Sequence, residues 1–137
     1  MYPEEMVKPM RAELTDAGFK ELYSATDVEQ ALAAGGTTLV VVNSVCGCAA
    51  RNARPGAKMS LENGAKPSQL VTVFAGVDKD AVEKARESMF PFPPSSPCMA
   101  LFKDGELVHM LERHHIEGRP AELIAENLKD AYNEFCA

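Results

Sequence analysis

The chain has 137 residues, 46% of them apolar and 25% charged, which suits one globular domain (residues 1–137) with one core. A net charge of −6 with no Lys/Arg cluster excludes a nucleic-acid-binding or anionic-membrane-binding role. No apolar run approaches the ~18 residues of a membrane span, and Met1-Tyr2-Pro3-Glu4-Glu5 lacks the basic and apolar regions of a signal peptide. A cytoplasmic location is therefore expected.

Residues 3–17 read as a helix with Pro9 as a kink or a late start, stopped at Asp16-Ala17-Gly18. Thr26-Asp27-Val28-Glu29 has the form of a capping box and opens a short helix that ends at Gly35-Gly36. Thr37 to Val42 is a β-branched, apolar run, as expected of a central strand covered on both faces. A helix should follow Cys48, although Pro55 would kink it and Gly56 would weaken it. Gln69 to Ala75 reads as a second strand, and Asp78 as the cap of a helix through about Met89.

Phe90-Pro91-Phe92-Pro93-Pro94-Ser95-Ser96-Pro97 has too many prolines for a helix or a sheet interior. Asp104-Gly105 between two apolar runs then signals a hairpin. Pro120 opens a last helix to about Phe135. The first two strands are joined through a helix, so they should be parallel with a right-handed crossover. The hairpin adds antiparallel strands. The result is an α/β fold of three layers, with a mixed sheet of about four strands and an N-terminal helical extension.

The chemistry concentrates in Val45-Cys46-Gly47-Cys48, between the central strand and the helix after it. Unpaired N–H groups and the partial positive charge of a helix start favour thiolate over thiol, and thiolate is the nucleophile. Cys46 stands before the helix and should be the more reactive. Cys48 falls in its first turn and should be more covered. Gly47 allows the bend that two cysteines so close need to pair. The residues by themselves leave two other readings: a buried structural pair, or a metal site completed by Cys98, His114 and His115. The hairpin register places Arg113, His114 and His115 at the same end of the sheet as Pro97 and the cysteines. Arg113 there could bind a carboxylate of a small thiol through its fork of donors. Phe90 and Phe92 could equally be packing residues or an apolar substrate surface.

The element order, with cysteines after the central strand and a proline before a Lys103-Asp104-Gly105-Glu106 hairpin, resembles the thioredoxin fold. Pro97 matches the position at which that fold carries a cis-proline facing the cysteines. A closer resemblance is to the bacilliredoxin family, thiol-disulfide isomerases with a CXC site. It is carried by Val7-Lys8-Pro9-Met10-Arg11, Glu13-Leu14-Thr15, Thr37 to Ala50 with its Asn43-Ser44-Val45-Cys46-Gly47-Cys48 core, Val71 to Gly76, Pro94-Ser95-Ser96-Pro97 and Ile116-Glu117-Gly118.

The resemblance implies removal of bacillithiol, or a similar small thiol, from mixed disulfides on client proteins. Cys46 would attack and Cys48 resolve. Gly47, Pro97, Cys98 and Arg113 are the candidate substrate contacts, with Cys98 read either as a third thiol close to the pair or as a buried small hydrophobe. No metal is implied. No nucleotide or flavin fingerprint is present, so electrons must come from an outside thiol or reductase.

Overall fold

The computed structural model describes residues 1–137. The elements run α1 (Glu4–Thr15), β1 (Lys20–Glu21), α2 (Ala25–Ala33), β2 (Thr37–Asn43), a π-helical turn (Ala49–Ala53) continuing into α3 (Arg54–Ser60), β3 (Gln69–Phe74), α4 (Lys79–Ser88), β4 (Cys98–Lys103), β5 (Glu106–Leu111), α5 (Arg113–Ile116) and α6 (Ala121–Phe135). The sheet order is β1-β3-β2-β4-β5. Strand β3 lies parallel to both β1 and β2, and β4 runs antiparallel to β2 and β5. No helix is long and apolar enough to cross a membrane.

Strand β2 is buried along its whole length because alternate side chains enter two cores. Leu39 and Val41 face Ala53, Ala57, Ile124 and Leu128 on the α3/α6 side. Val40 and Val42 face Val28, Ala81, Val82 and Ala85 on the α2/α4 side. The three layers expected from the sequence are present. The sheet has five strands rather than about four, the extra one being the two-residue edge strand β1. Two polar residues, Lys20 and Glu21, carry no alternating pattern, so only pairing with Val71 and Thr72 reveals them as a strand.

Other local expectations shift for physical reasons. Helix α1 begins at Glu4 and runs through Pro9. Ser24 caps α2, accepting a hydrogen bond from the Asp27 N–H, and the Asp27 carboxylate accepts one from the Tyr23 N–H. The capping residues are thus displaced by two positions from Thr26 and Glu29. Asp78 stands at the start of α4 without capping it. Its carboxylate is drawn instead to buried Arg11, whose Nη1 lies 2.8 Å from Asp78 Oδ2 and 2.7 Å from Glu21 Oε2. Burial pushes the Glu21 carboxyl up to about 7 despite that neighbour.

The helix after the cysteines absorbs both of its unfavourable residues. Pro55 has no N–H for the carbonyl of Arg51, and the chain widens into a π turn just before it. Gly56 faces α6 at short range. A Cβ there would lie 2.7 Å from Ile124 Cγ2, 2.9 Å from Ile124 Cβ and 3.2 Å from the Ala121 carbonyl oxygen. Gly56→Ala should therefore destabilise the protein by about 1–3 kcal/mol through overpacking, despite the better helix propensity of Ala. Urea unfolding checks this, and adding Ile124→Ala should make the Gly56→Ala change less costly than it is in the parent.

Candidate active site

Strand β2 ends at Asn43 and is followed by Ser44, two polar residues that are both buried. Asn43 Oδ1 accepts from the Ser44 N–H at 2.8 Å and from Arg54 Nη1 at 2.9 Å, and its amide donates to the Met10 carbonyl at 3.3 Å. Arg54 Nη1 also donates to the Ser44 carbonyl at 2.8 Å, and its Nε lies 3.1 Å from Glu13 Oε1. Arg54 is only 2% exposed. A guanidinium on α3 thus ties the end of β2 to the helix that follows the cysteines.

The helical turn begins at Gly47, directly after Cys46. The Cys46 N–H donates to Ser44 Oγ at 3.1 Å, and its carbonyl accepts from the Ala49 and Ala50 N–H groups. The Cys46 sulfur occupies the place of a capping side chain. Burial opposes its ionisation. The Cys48 thiol, the Ser44 hydroxyl and the backbone N–H groups of Ala49 and Cys48 outweigh that and hold the Cys46 thiol below its ordinary value. Cys48 is shifted the other way, first by burial and then because its proton is shared with the Cys46 sulfur, while Arg113 partly offsets both. Both cysteines are half-buried and unpaired.

The hairpin brings distant residues to this point. Its turn has positive φ at Asp104 (51°) and Gly105 (83°), and Phe102 pairs with Leu107 as the sequence implies. An irregularity beyond that pair then shifts the register by one, so Leu101 pairs with His109. Arg113 consequently meets the loop before Pro97. Its N–H donates to Ser95 Oγ at 3.3 Å, its Nη1 to the Ser96 carbonyl at 3.0 Å and its Nε to Glu117 Oε2 at 2.8 Å. The Ser96–Pro97 peptide bond is cis, and so is Phe90–Pro91.

Cys98 does not join the pair. Its side chain points into the α2/α4 core and is 1% exposed, and burial pushes its thiol up to about 12. The alternation along β4 sends it to the face opposite the helix that carries Cys48. A metal set of Cys46, Cys48, Cys98 and the two histidines is therefore not assembled. Glu112, His114 and His115 do place donor atoms within 4.8 Å of one another. However, His115 Nδ1 accepts the Glu112 N–H at 3.0 Å. Burial and the neighbouring His114 keep the His115 ring neutral to lower pH than usual. Phe90 is 82% exposed and Phe92 is 39% exposed.

A family model described as disulphide isomerase matches residues 2–136. A bacilliredoxin of Cytophaga hutchinsonii is 60% identical over 135 residues, covering 98% of this chain and 100% of that protein. The chain belongs to the bacilliredoxin family. A second bacilliredoxin, from Halalkalibacterium halodurans, is 56% identical over 136 residues, covering 98% of this chain and 94% of its own. Among solved structures, Fasciola hepatica thioredoxin superposes with a TM-score of 0.60 at 17% identity, over 85% of this chain and 99% of that one. A mutant thioredoxin from Halobacterium salinarum gives 0.62 at 15% identity, over 88% and 93%. These two show the thioredoxin fold. Membership of the bacilliredoxin family, with that fold, makes the protein a thiol-disulfide oxidoreductase.

Sequence reasoning passed over Ser44, Asn43 and Arg54 as functional residues. One signal was available: two polar residues closing an otherwise apolar strand, with a cation eleven residues beyond the first of them. The opposed shifts of the two thiols give a direct expectation. Alkylation of Cys46 by iodoacetamide should rise at a pH below the ~8.5 of a free cysteine, and that of Cys48 above it. Ser44→Ala should move the Cys46 midpoint upward, because a donor to the thiolate is lost. Mass mapping of the alkylated peptides across pH reads both values; Cys48 reacting first would contradict the assignment.

Proposed function

We propose that this protein removes a small thiol, bacillithiol or one like it, from mixed disulfides on client-protein cysteines in the cytoplasm. The observation that carries this reading is the convergence of the Cys48 thiol, the Ser44 hydroxyl and two backbone N–H groups on the Cys46 sulfur. Such a sulfur is ionised at lower pH than its partner, as an attacking thiol must be.

The Cys46 thiolate attacks the small-thiol sulfur of the mixed disulfide. A new S–S bond joins Cys46 to the small thiol, the old S–S bond breaks, and the client cysteine leaves as a thiolate that takes up a proton. Cys48 then loses its proton and attacks the Cys46 sulfur. The small thiol leaves reduced, and Cys46 and Cys48 end as a disulfide. The two electrons that reduced the mixed disulfide come from the cysteine pair, so an external thiol or reductase must restore it. Burial and the Cys46 sulfur together push the Cys48 thiol up, which suits a residue that stays protonated until its partner has reacted.

Gly47 and the backbone at Pro97 are the surfaces against which the client chain would lie, in the manner of an added β-strand. Arg113 connects the two regions. It donates to the carbonyl of Ser96, and its charge favours the Cys48 thiolate. No second reading is favoured by a specific observation.

Incubating the reduced protein with a bacillithiol-modified peptide and measuring intact mass tests this. The parent should end as an intramolecular Cys46–Cys48 disulfide, and Cys48→Ser should hold one bacillithiol on Cys46. Cys46→Ser should fall to the background rate. If neither bacillithiol nor glutathione is transferred from a modified peptide, the reading is wrong.

A further inference from the structure

Helix α1 is fastened to the sheet by one cation that has too many partners. Arg11 is buried, with the Tyr23 and Phe74 rings centred 5.0 and 5.2 Å from its guanidinium carbon. Three carboxylates meet it: Glu4 on the same helix, Glu21 on β1 and Asp78 just before α4. Its donors are not shared evenly. Nε and Nη2 go to the two oxygens of Glu4 at 3.0 and 3.1 Å, and Nη1 goes to Asp78 Oδ2 at 2.8 Å. Glu21 Oε2 lies 2.7 Å from Nη1 as an ion pair, yet neither Glu21 oxygen accepts a hydrogen bond. The Glu21 side chain is 5% exposed, whereas that of Glu4 is 58% exposed.

The charges do not balance here. With every acid ionised, one guanidinium faces three negative charges in a place that water hardly reaches. Glu4 reaches solvent, and Asp78 holds the hydrogen bond from Nη1. The cost of a buried charge without a hydrogen bond falls on Glu21, and protonation removes it. Burial, with Asp78 and Glu4 adding to it, outweighs Arg11 and raises the Glu21 carboxyl to about 7. The other titratable group beside it is Tyr23, whose hydroxyl is pushed up, by burial first. Strand β3 sets Val71 and Thr72 opposite Lys20 and Glu21 and adds no charge.

The same helix reaches the thiol site. Met10 and Glu13 stand on either side of Arg11 in sequence. The Met10 carbonyl accepts from Asn43 Nδ2, and Glu13 pairs with Arg54. Asn43 and Arg54 are the side chains that hold the N–H and the carbonyl of Ser44, and the Ser44 hydroxyl accepts the Cys46 N–H. We propose that Glu21 is a proton-dependent latch on α1: with its proton on, the helix sits tightly against β1 and α4, and with the proton lost, α1 loosens and takes with it the contacts that hold Ser44 beside Cys46. An acid whose proton is held more tightly in the docked helix than in the released one favours docking where it is protonated. Docking is therefore tightest below 4.5, the ordinary value of the Glu21 carboxyl, and weakens as pH rises to about 7, where the docked carboxyl ionises. A group that never touches substrate thereby tunes the support of the attacking thiol.

Amide hydrogen exchange, followed residue by residue by NMR on the reduced full-length protein, tests this. After correction for the intrinsic effect of pH, opening of the α1 amides should rise about tenfold from about pH 5.5 to about pH 7.5, the scale of one linked proton. The Ser44 and Cys46 amides should follow. Glu21→Gln keeps the shape of the side chain and cannot ionise, so its exchange should show no such rise. The same pH dependence in both proteins overturns the proposal, and so does a response of α1 that Ser44 and Cys46 do not share. This readout needs no turnover, so it stands or falls separately from the de-thiolation reading.

A second measurement needs no change at position 21. The carbon-13 shift of the Glu21 carboxyl reports its titration directly in the parent, with a midpoint expected near neutrality; a midpoint at the ordinary 4.5 would overturn the proposal. Asp78→Asn keeps an acceptor for Arg11 Nη1 but removes one competing negative charge, so the Glu21 midpoint should fall and the loosening of α1 should end at lower pH. An unmoved midpoint would mean that the carboxylates do not compete for Arg11, and the latch would be disproved.

Discussion

The site depends on how a buried cation is satisfied. Arg54 places a guanidinium where water does not reach, and such a group must find acceptors inside the protein. Its Nη1 finds them in the Asn43 side chain and the Ser44 carbonyl, and the Glu13 carboxylate balances its charge as an ion pair. Those groups belong to the end of β2 and to α1, so a single side chain locks strand, helix and N-terminal extension together. Ser44 is thereby held with its hydroxyl toward Cys46, and the first N–H groups of the next helix follow. The polarisation of the thiol pair is a consequence of that anchoring.

The helix that carries Cys48 must also reach the core, and its sequence makes that awkward. Pro55 cannot donate to the carbonyl of Arg51, and the π turn widens the backbone just before it. Gly56, a poor helix former, lets α3 approach α6 closely enough to touch Ile124. The same π turn carries Arg51 on its outer side and Ala49 and Ala53 on its inner side. One irregular stretch therefore sets the packing of the helix and carries the Arg51 guanidinium back over Gly47.

Topology supplies what the local segment lacks. Arg113 is far from the cysteines in sequence, yet the antiparallel return of β5 along β4 brings it to the loop before Pro97. The loop and the thiol pair then share one cation. Alternation along β4 has the opposite effect on Cys98. It turns that thiol into the α2/α4 core, where burial suppresses ionisation. A residue next to Pro97 in sequence thus faces away from the cysteine pair, whereas Arg113, far along the chain, meets the loop before Pro97.

Much of this was legible in the chain itself. A β-branched run followed by two close cysteines and a helix start marked the central strand and the thiol site, because strand and helix signals are local and the chemistry sits at their junction. The Asp104-Gly105 turn placed Arg113 near Pro97, because a tight hairpin fixes which residues return to which end of a sheet. Tertiary structure decided the rest. Strand β1 exists only by pairing with β3, Asp78 abandons its cap for Arg11, and Cys98 faces away because of the strand's alternation. Asn43, Ser44 and Arg54 are joined by contacts that only the folded chain brings together. A local pattern gives each residue its conformational preference, but the partner of a buried charge or a free thiol is set by what the fold brings against it.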